Sequence, residues 1–222
     1  MIVAIDGPAA TGKSTSAKLV AQNLGFTYLD TGAMYRCVTL AVLRCQVDLS
    51  NTSAFTQLLS DFNIEFGKKD GAVSIWLNGE DVSTEIRQAN VTNHVSAVSA
   101  LAPVREELVQ IQRQIATNQD CVLEGRDIGT IVFPDAEIKF FLVADDRVRA
   151  ERRQLDLKAL GENKSIEELM AEIRKRDKLD SERDHSPLRK AEDAIEVDTT
   201  NLTIDGQVDF MVNKVKSITI GN

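Results

Sequence analysis

A short apolar stretch at residues 2–5 runs directly into a glycine-rich segment, and this junction limits the folds open to the chain. Glycines let the backbone wrap closely around phosphate oxygens, so that successive N–H groups point at the anion. Lys13 adds a positive charge for the β- and γ-phosphates, and the Ser14 hydroxyl is suited to bind Mg²⁺. The segment fits the Walker A pattern G-x-x-x-x-G-K-[ST] at every required position and comprises Gly7, Pro8, Ala9, Ala10, Thr11, Gly12, Lys13, Ser14 and Thr15. The chain is therefore predicted to bind a nucleoside triphosphate.

The residues after this segment have the pattern of an α-helix. Ala17, Val20, Ala21 and Leu24 recur at helical spacing. A helix in this position presents its positive N-terminal end to a bound phosphate. Strand, loop and helix thus follow one another in the order that phosphate binding requires.

Short apolar runs alternate with helical patterns along much of the chain, which is typical of a parallel sheet covered by helices on both faces. The runs lie at residues 2–5, 26–29, 121–123, 138–143 and 194–197. We therefore predict an α/β fold of the P-loop NTPase class, with a five-stranded parallel sheet flanked by helices.

Two segments depart from this alternation. Apolar and polar residues alternate over 62–66 and 73–77, with turns expected at 68–71 and at Asn78-Gly79. This pattern predicts a small antiparallel β insertion at about residues 61–95. The second segment is highly charged and is predicted to be a helical lid. We predict one domain made of a core (about 1–60, 96–144 and 191–222), the β insertion and the lid (about 145–190).

Composition argues against several classes of protein. The formal net charge of −8 disfavours general nucleic-acid binding, which normally needs a basic face. No run of about 18 apolar residues is present, so no membrane span is expected. The N-terminus lacks the charge order of a signal peptide, which favours a cytoplasmic location.

The cysteines and histidines give no sign of a metal site or a disulfide framework. Cys37, Cys45 and Cys121 form no C-x-x-C pair, and their number is odd. We expect them to be buried small hydrophobes. His94 and His185 stand apart from any acid or nucleophile at a telling spacing, and we interpret them as ordinary polar residues.

A second group of arginines and aspartates lies where predicted strands end. The segments 30–36 and 125–130 each follow a strand, at the edge where ligands bind in open α/β folds. Arg176, Asp180 and Arg183 are spaced by four and three residues, which puts them on one helical face if the helix continues that far. These residues suit a second anionic substrate. A GTPase is disfavoured, because neither Asn-Lys pair continues as N-K-x-D.

Taken together, the motifs resemble those of the bacterial cytidylate kinases, a family of P-loop nucleoside monophosphate kinases. The resemblance covers essentially the whole chain, including the β insertion. The segments that carry it are the Walker A residues, 30–36, 104–106, 125–130, 133–136 and Arg176-Asp177. It implies transfer of the γ-phosphoryl group of ATP to CMP, with dCMP also accepted, in a closed Mg²⁺-dependent cleft.

The resemblance also implies roles for individual residues. The catalytic residues would be Lys13, Arg126, Arg176 and Arg183, and Arg36 would join the arginines on the acceptor phosphate. Guanidinium groups suit this because their fixed fork makes paired bonds to phosphate oxygens. The predicted CMP-binding residues are Thr31, Tyr35, Arg36, Ser96, Arg105, Arg126, Asp127, Arg176, Asp180 and Arg183.

Base recognition is assigned to three of these residues, Ser96, Arg105 and Asp127. An Asp127 carboxylate would accept a hydrogen bond from the 4-amino group of cytosine, where uracil has a carbonyl oxygen. Asp180 matches a residue near the ribose. Thr31 stands where family members often have serine.

Further residues are assigned to ATP and the metal. Arg152 and Arg153 resemble lid residues that fold over the triphosphate, although Arg147 and Arg149 are nearly as eligible. Glu124 lies where a Walker B carboxylate would orient Mg²⁺-bound water, and orienting Arg126 is its alternative role. The expected partners are ATP and CMP or dCMP, with no nucleic acid or membrane, and the family favours a monomer.

Two alternatives remain open from the sequence. One is a kinase that phosphorylates another small molecule, such as UMP or AMP. The other is a regulatory nucleotide-binding protein that has kept Walker A without turnover.

Overall fold

The computed structural model describes residues 1–69, 72–159 and 161–219. It forms two compact units, residues 1–30 with 116–222 and residues 31–115, and each is described by itself. The strands are β1 (Ile2–Asp6), β2 (Thr27–Asp30), β3 (Ile64–Lys69), β4 (Ala72–Leu77), β5 (Glu80–Asp81), β6 (Cys121–Glu124), β7 (Ile138–Val143) and β8 (Ile195–Asp198). The helices are α1 (Lys13–Leu24), α2 (Thr31–Cys45), α3 (Thr52–Ser60), α4 (Ala89–Ser99), α5 (Ala102–Ala116), α6 (Asp146–Ala159), α7 (Ile166–Glu182) and α8 (Ile204–Thr219).

The first unit is built on a five-stranded parallel sheet with the order β2-β6-β1-β7-β8. Its strands are apolar because both faces are covered; Val3 and Val122, which are paired across β1 and β6, are fully buried. Helices α1 and α8 pack together on the sheet through Val20 and Met211. The predicted five-stranded sheet is confirmed, although β2 begins at Thr27 and leaves Phe26 outside.

Helices α6 and α7 of this unit pack along each other around a small apolar cluster of Ala150, Leu157, Leu169 and Ile173. A capping box starts α7: Ser165 accepts from the Glu168 N–H, and the Glu168 carboxylate accepts from the Ser165 N–H. The remaining surface of the two helices is highly charged. This pair therefore lies in the segment predicted to be a charged helical lid.

The second unit contains the predicted antiparallel sheet, with order β3-β4-β5. Asn78 (φ 50°) and Gly79 (φ 81°) turn the chain between β4 and β5, as expected from their tolerance of positive φ. In the other predicted turn, Asp70 and Gly71 lie outside the described residues. Ile75 and Leu77 pack against α2 through an apolar cluster that includes Cys37.

Two local expectations differ from the structure. Residues 89–99 form helix α4, which begins within the segment predicted as a β insertion (about 61–95) and runs past its end, because Val91, Val95 and Val98 bury one face at helical spacing. Cys37 and Cys121 are buried as expected, but Cys45 is exposed at the end of α2. No helix in the described part of the chain combines the length and the apolarity needed to cross a membrane.

Candidate active site

The Walker A residues form a loop between the carboxyl end of β1 and the start of α1. Gly7 has φ 145°, and a Cβ atom there would lie 2.2 Å from the Leu142 carbonyl oxygen on β7. Gly12, with φ 90°, is the N-cap of α1. Glycine is therefore required at the loop entry both for its backbone angles and for the close approach to β7.

Lys13 is buried with its ammonium group held inside this loop. Its Nζ donates to the Pro8 carbonyl oxygen at 2.5 Å and to Thr11 Oγ1 at 3.3 Å. Burial lowers its pKa well below the usual value, and the nearby positive charges of Arg126 and Arg176 lower it further, against the opposing effect of Glu124. The lysine thus sits in a site that lacks enough negative charge to balance it.

Ser14, Glu124 and Tyr28 form a hydrogen-bonded group beside the loop. Ser14 Oγ donates to Glu124 Oε2 at 2.8 Å, and the Tyr28 hydroxyl donates to Glu124 Oε1 at 2.5 Å. Burial raises the pKa of Glu124 to about 7, and the neighbouring Asp30 adds to the rise. Hydroxyl and carboxylate oxygens are the ligands that Mg²⁺ prefers, so this pair fits the predicted metal position. Tyr28 was not predicted.

Asp6, at the end of β1, ties the loop entry to the segment after β6. Its Oδ1 accepts from the Ile128 N–H at 2.9 Å, and its Oδ2 accepts from the Gly129 N–H at 2.8 Å. Burial raises its pKa to about 6, although these two hydrogen bonds oppose the rise. Sequence reasoning missed Asp6; its position at a strand end immediately before Gly7 was the available signal.

Four of the predicted acceptor residues come together in the first unit. Arg126 Nε donates to Asp180 Oδ2 at 3.1 Å, and Arg183 Nη2 lies 3.7 Å from Asp127 Oδ1. Asp127 and Asp180 are buried. Helix α7 ends at Glu182, so Arg183 is its C-cap with ψ 143° rather than part of the helical face expected from the spacing.

Arg176 is the fifth predicted residue in this region. The buried Nε of its guanidinium has no hydrogen-bond partner among the described residues. Burial lowers its pKa to about 10, with a further contribution from the charge of Arg126. Arg176 therefore lies close enough to another cation to be destabilised by it, as Lys13 does.

The other predicted acceptor residues belong to the second unit. Arg36 Nη1 donates to Thr92 Oγ1 at 2.8 Å and to the Ile86 carbonyl oxygen at 3.2 Å. The Arg105 guanidinium is stacked on the Tyr35 ring, 5.1 Å from its centroid. Thr31 is buried at the start of α2, and Ser96 is half-buried on α4.

The four arginines considered as lid residues from the sequence lie on α6 in different environments. Arg152 donates to Thr199 Oγ1 at 3.0 Å and, over 3.4 Å, to the Thr11 carbonyl oxygen of the loop. Burial lowers its pKa. Arg153 is half-buried, whereas Arg147 is exposed and pairs with Glu151. Arg149, which the sequence left as one alternative, is buried and contacts the loop directly.

Comparison with known proteins identifies the family. The model of the family described as cytidylate kinase matches residues 3–217. The cytidylate kinase of Lactobacillus johnsonii is 50% identical over 205 residues, covering 92% of this chain and 89% of the relative. That of Bacillus cereus (strain B4264) is 49% identical over 219 residues, covering 99% and 96%.

Among solved structures, an uncharacterized protein from Eubacterium ventriosum has a TM-score of 0.51 at 13% identity, covering 98% of this chain and 99% of that one. This likeness concerns the fold alone. The family match and the two relatives confirm the resemblance drawn from the motifs, and the chain therefore belongs to the cytidylate kinase family of ATP-dependent kinases.

Proposed function

We propose that the protein transfers the γ-phosphoryl group of ATP to CMP, giving CDP and ADP, and that it also accepts dCMP. The observation that carries the proposal is the gathering of Lys13, Arg126 and Arg176 near the Walker A loop, where burial and the nearby charge of Arg126 lower the pKa of both Lys13 and Arg176. Like charges held together under burial cost free energy until an anion neutralises them. Two bound polyanions would supply that neutralisation.

The reaction needs no strong base. An oxygen of the CMP phosphate attacks the γ-phosphorus of ATP in line, and the bond from that phosphorus to the β–γ bridging oxygen breaks as ADP leaves with the electron pair. The attacking oxygen is already anionic, so no proton has to be removed. Lys13, Arg126, Arg176 and Arg183 would bind the phosphates, offset their mutual repulsion and align them. Arg36 would act on the acceptor phosphate, as the resemblance implies.

Two further residues beside the loop are compatible with a magnesium-dependent reaction. Ser14 would hold Mg²⁺ together with the ATP phosphates, Glu124 would orient water bound to the ion, and the ion would offset charge on the transferred group. The 2.8 Å hydrogen bond between their side chains keeps both oxygens on the same side of the loop.

Asp127 is proposed to select cytosine. It is buried, and its Oδ1 lies 3.7 Å from Arg183 Nη2. A carboxylate facing the carbonyl oxygen of uracil would lose a hydrogen bond at a cost of about 1–3 kcal/mol. Ser96 and Arg105 are proposed to assist, and Asp180 to lie near the ribose. The extension to dCMP rests on the family resemblance.

The remaining proposals concern the lid and the setting of the enzyme. Arg152 and Arg153 would cover the triphosphate on closure and exclude water, which would otherwise hydrolyse ATP. The monomeric state is proposed on the family resemblance. The domain boundaries, the cytoplasmic location and the absence of nucleic-acid and membrane partners are proposed on the sequence patterns, charge and composition described above.

A coupled assay of ADP production tests the central proposal. CMP and dCMP should each stimulate ADP release well above the rate with ATP alone, and UMP and AMP should do so less. Stimulation by UMP or AMP but not by CMP would favour a different acceptor. No stimulation by any of the four would favour a regulatory nucleotide binder.

A further inference from the structure

Two charged side chains from other elements form hydrogen bonds to the backbone of Ala9 in the phosphate-binding loop. Its carbonyl oxygen accepts a hydrogen bond from Arg149 Nε at 2.8 Å, and its N–H donates to Asp177 Oδ1 at 3.2 Å. Arg149 Nη2 donates in turn to Asp177 Oδ2. Because Arg149 is on α6 and Asp177 on α7, one ion pair joins both helices to the loop.

All three guanidinium nitrogens of Arg149 donate hydrogen bonds. The side chain is only 5% exposed, and besides its contacts with Ala9 and Asp177, its Nη1 donates to Asp146 Oδ1 at 3.2 Å. Only an arginine provides a fixed planar fork that reaches a carbonyl and two carboxylates at once. A lysine would keep the charge but lose this geometry. Removing Asp177 would leave Arg149 paired with Asp146 alone and would take away the acceptor of the Ala9 N–H.

The loop needs this support because its own conformation is unfavourable. Ala10, the residue after Ala9, has φ 60°, a left-handed conformation that costs a non-glycine residue about 1–2 kcal/mol. Elsewhere in the loop, Lys13 and Thr11 donate to the Pro8 carbonyl oxygen, and Thr199 Oγ1 and Arg152 donate to the Thr11 carbonyl oxygen. The two bonds to Ala9 hold the peptide groups on either side of it, immediately before the strained residue.

We infer that Arg149 and Asp177 are positioning residues for the triphosphate: they set the peptide groups of the loop for phosphate before ATP binds. The inference rests on the proposed function in that ATP is taken as the ligand of this loop. The Arg149–Asp177 pair also links the loop to Arg176 and Arg152. Asp177 adjoins Arg176 on α7, and Arg152 lies one turn beyond Arg149 on α6. Loss of the pair should therefore weaken ATP binding more than acceptor binding.

The test measures ATP·Mg²⁺ binding by calorimetry, without acceptor, for Arg149→Lys and Asp177→Asn. Each should raise the Kd for ATP about tenfold or more, and amide exchange at Ala9 should become faster. Arg174→Lys is the matched control, because exposed Arg174 pairs with Asp146 at 2.6 Å across the same two helices. The control should change the Kd less than about twofold. In turnover, the KM for ATP should rise while the KM for CMP stays nearly constant.

Three results would overturn the inference. One is an unchanged Kd for ATP and an unchanged rate of amide exchange at Ala9 in folded Asp177→Asn. This variant alone is sufficient for the test if Arg149→Lys does not fold. Another is an equal loss of affinity in Arg174→Lys, which would mean that general packing of α6 on α7 is responsible. The third is a rise in the KM for CMP matching that for ATP. Wild-type protein that binds ATP but does not phosphorylate CMP would instead contradict the proposed function and leave this inference standing.

Discussion

The Ser14 hydroxyl donates a 2.8 Å hydrogen bond to the carboxylate of Glu124, which joins the end of the phosphate-binding loop to the end of the neighbouring strand β6. Glu124→Gln should therefore raise the Mg²⁺ concentration that gives half-maximal activity, by about tenfold or more. A magnesium titration of the steady-state rate measures this. The exposed Glu192→Gln is a suitable control. Equal magnesium requirements in wild type and Glu124→Gln would place the carboxylate outside the metal site.

Asp127→Asn should narrow the preference for CMP over UMP. The amide presents a donor as well as an acceptor, so the unpaired contact with uracil is relieved. The ratio of kcat/KM for the two acceptors should fall about tenfold, corresponding to roughly 1.4 kcal/mol. Asp135→Asn, at an exposed position in the segment that follows, should leave the ratio unchanged. An unchanged ratio in Asp127→Asn would locate base recognition elsewhere.

Lys13→Ala should lower kcat by orders of magnitude while the fold is retained. The buried ammonium lies near Arg126 and Arg176, so its removal also relieves repulsion in the ligand-free protein. We expect the Tm without ATP to stay close to that of wild type, and the rise in Tm on adding ATP·Mg²⁺ to be much reduced. A near-normal kcat would remove Lys13 from the mechanism.

The raised pKa of Asp6 predicts a pH-dependent contribution to stability. The pKa is 3.8 in the unfolded chain and about 6 in the folded protein, so the folded state holds the proton more tightly. This contribution is fully present below about pH 3.8 and is lost as the pH rises through about 6, amounting to about 3 kcal/mol. Between pH 4 and pH 7.5, the free energy of unfolding measured with denaturant should fall less in Asp6→Asn than in wild type. An equal fall in the two proteins would contradict the prediction.

Gly7→Ala should severely destabilise the protein, by about 3 kcal/mol or more, because the new Cβ would lie 2.2 Å from the Leu142 carbonyl oxygen. Gly25→Ala is the matched control: its φ is 72°, but apart from its chain neighbours no described residue would have an atom within 4 Å of a Cβ there. It should cost only about 1 kcal/mol, from the left-handed backbone. Equal losses in chemical denaturation would show that backbone angle alone, and not the contact with β7, requires glycine at position 7.

Much of the fold follows from local patterns. All five predicted apolar runs begin within one residue of the start of an observed parallel strand, because strands buried on both faces must be apolar throughout. Helix α4 was not predicted, although Val91, Val95 and Val98 recur at helical spacing, because the alternating pattern of residues 62–66 and 73–77 favours strands in the same segment. The sequence also did not show that α7 ends before Arg183, because helical spacing does not reveal where a helix ends.

The phosphate-binding loop could be predicted from local sequence, because the Walker A residues are contiguous and the chemistry of Lys13 and Ser14 depends on their spacing. The tertiary structure alone decided which distant groups hold that loop. Asp6 meets Ile128 across 122 residues, and Arg149 meets Ala9 across 140. Parallel strands bring such segments to one sheet edge through long crossovers, and no periodicity in the sequence records which side chains meet there.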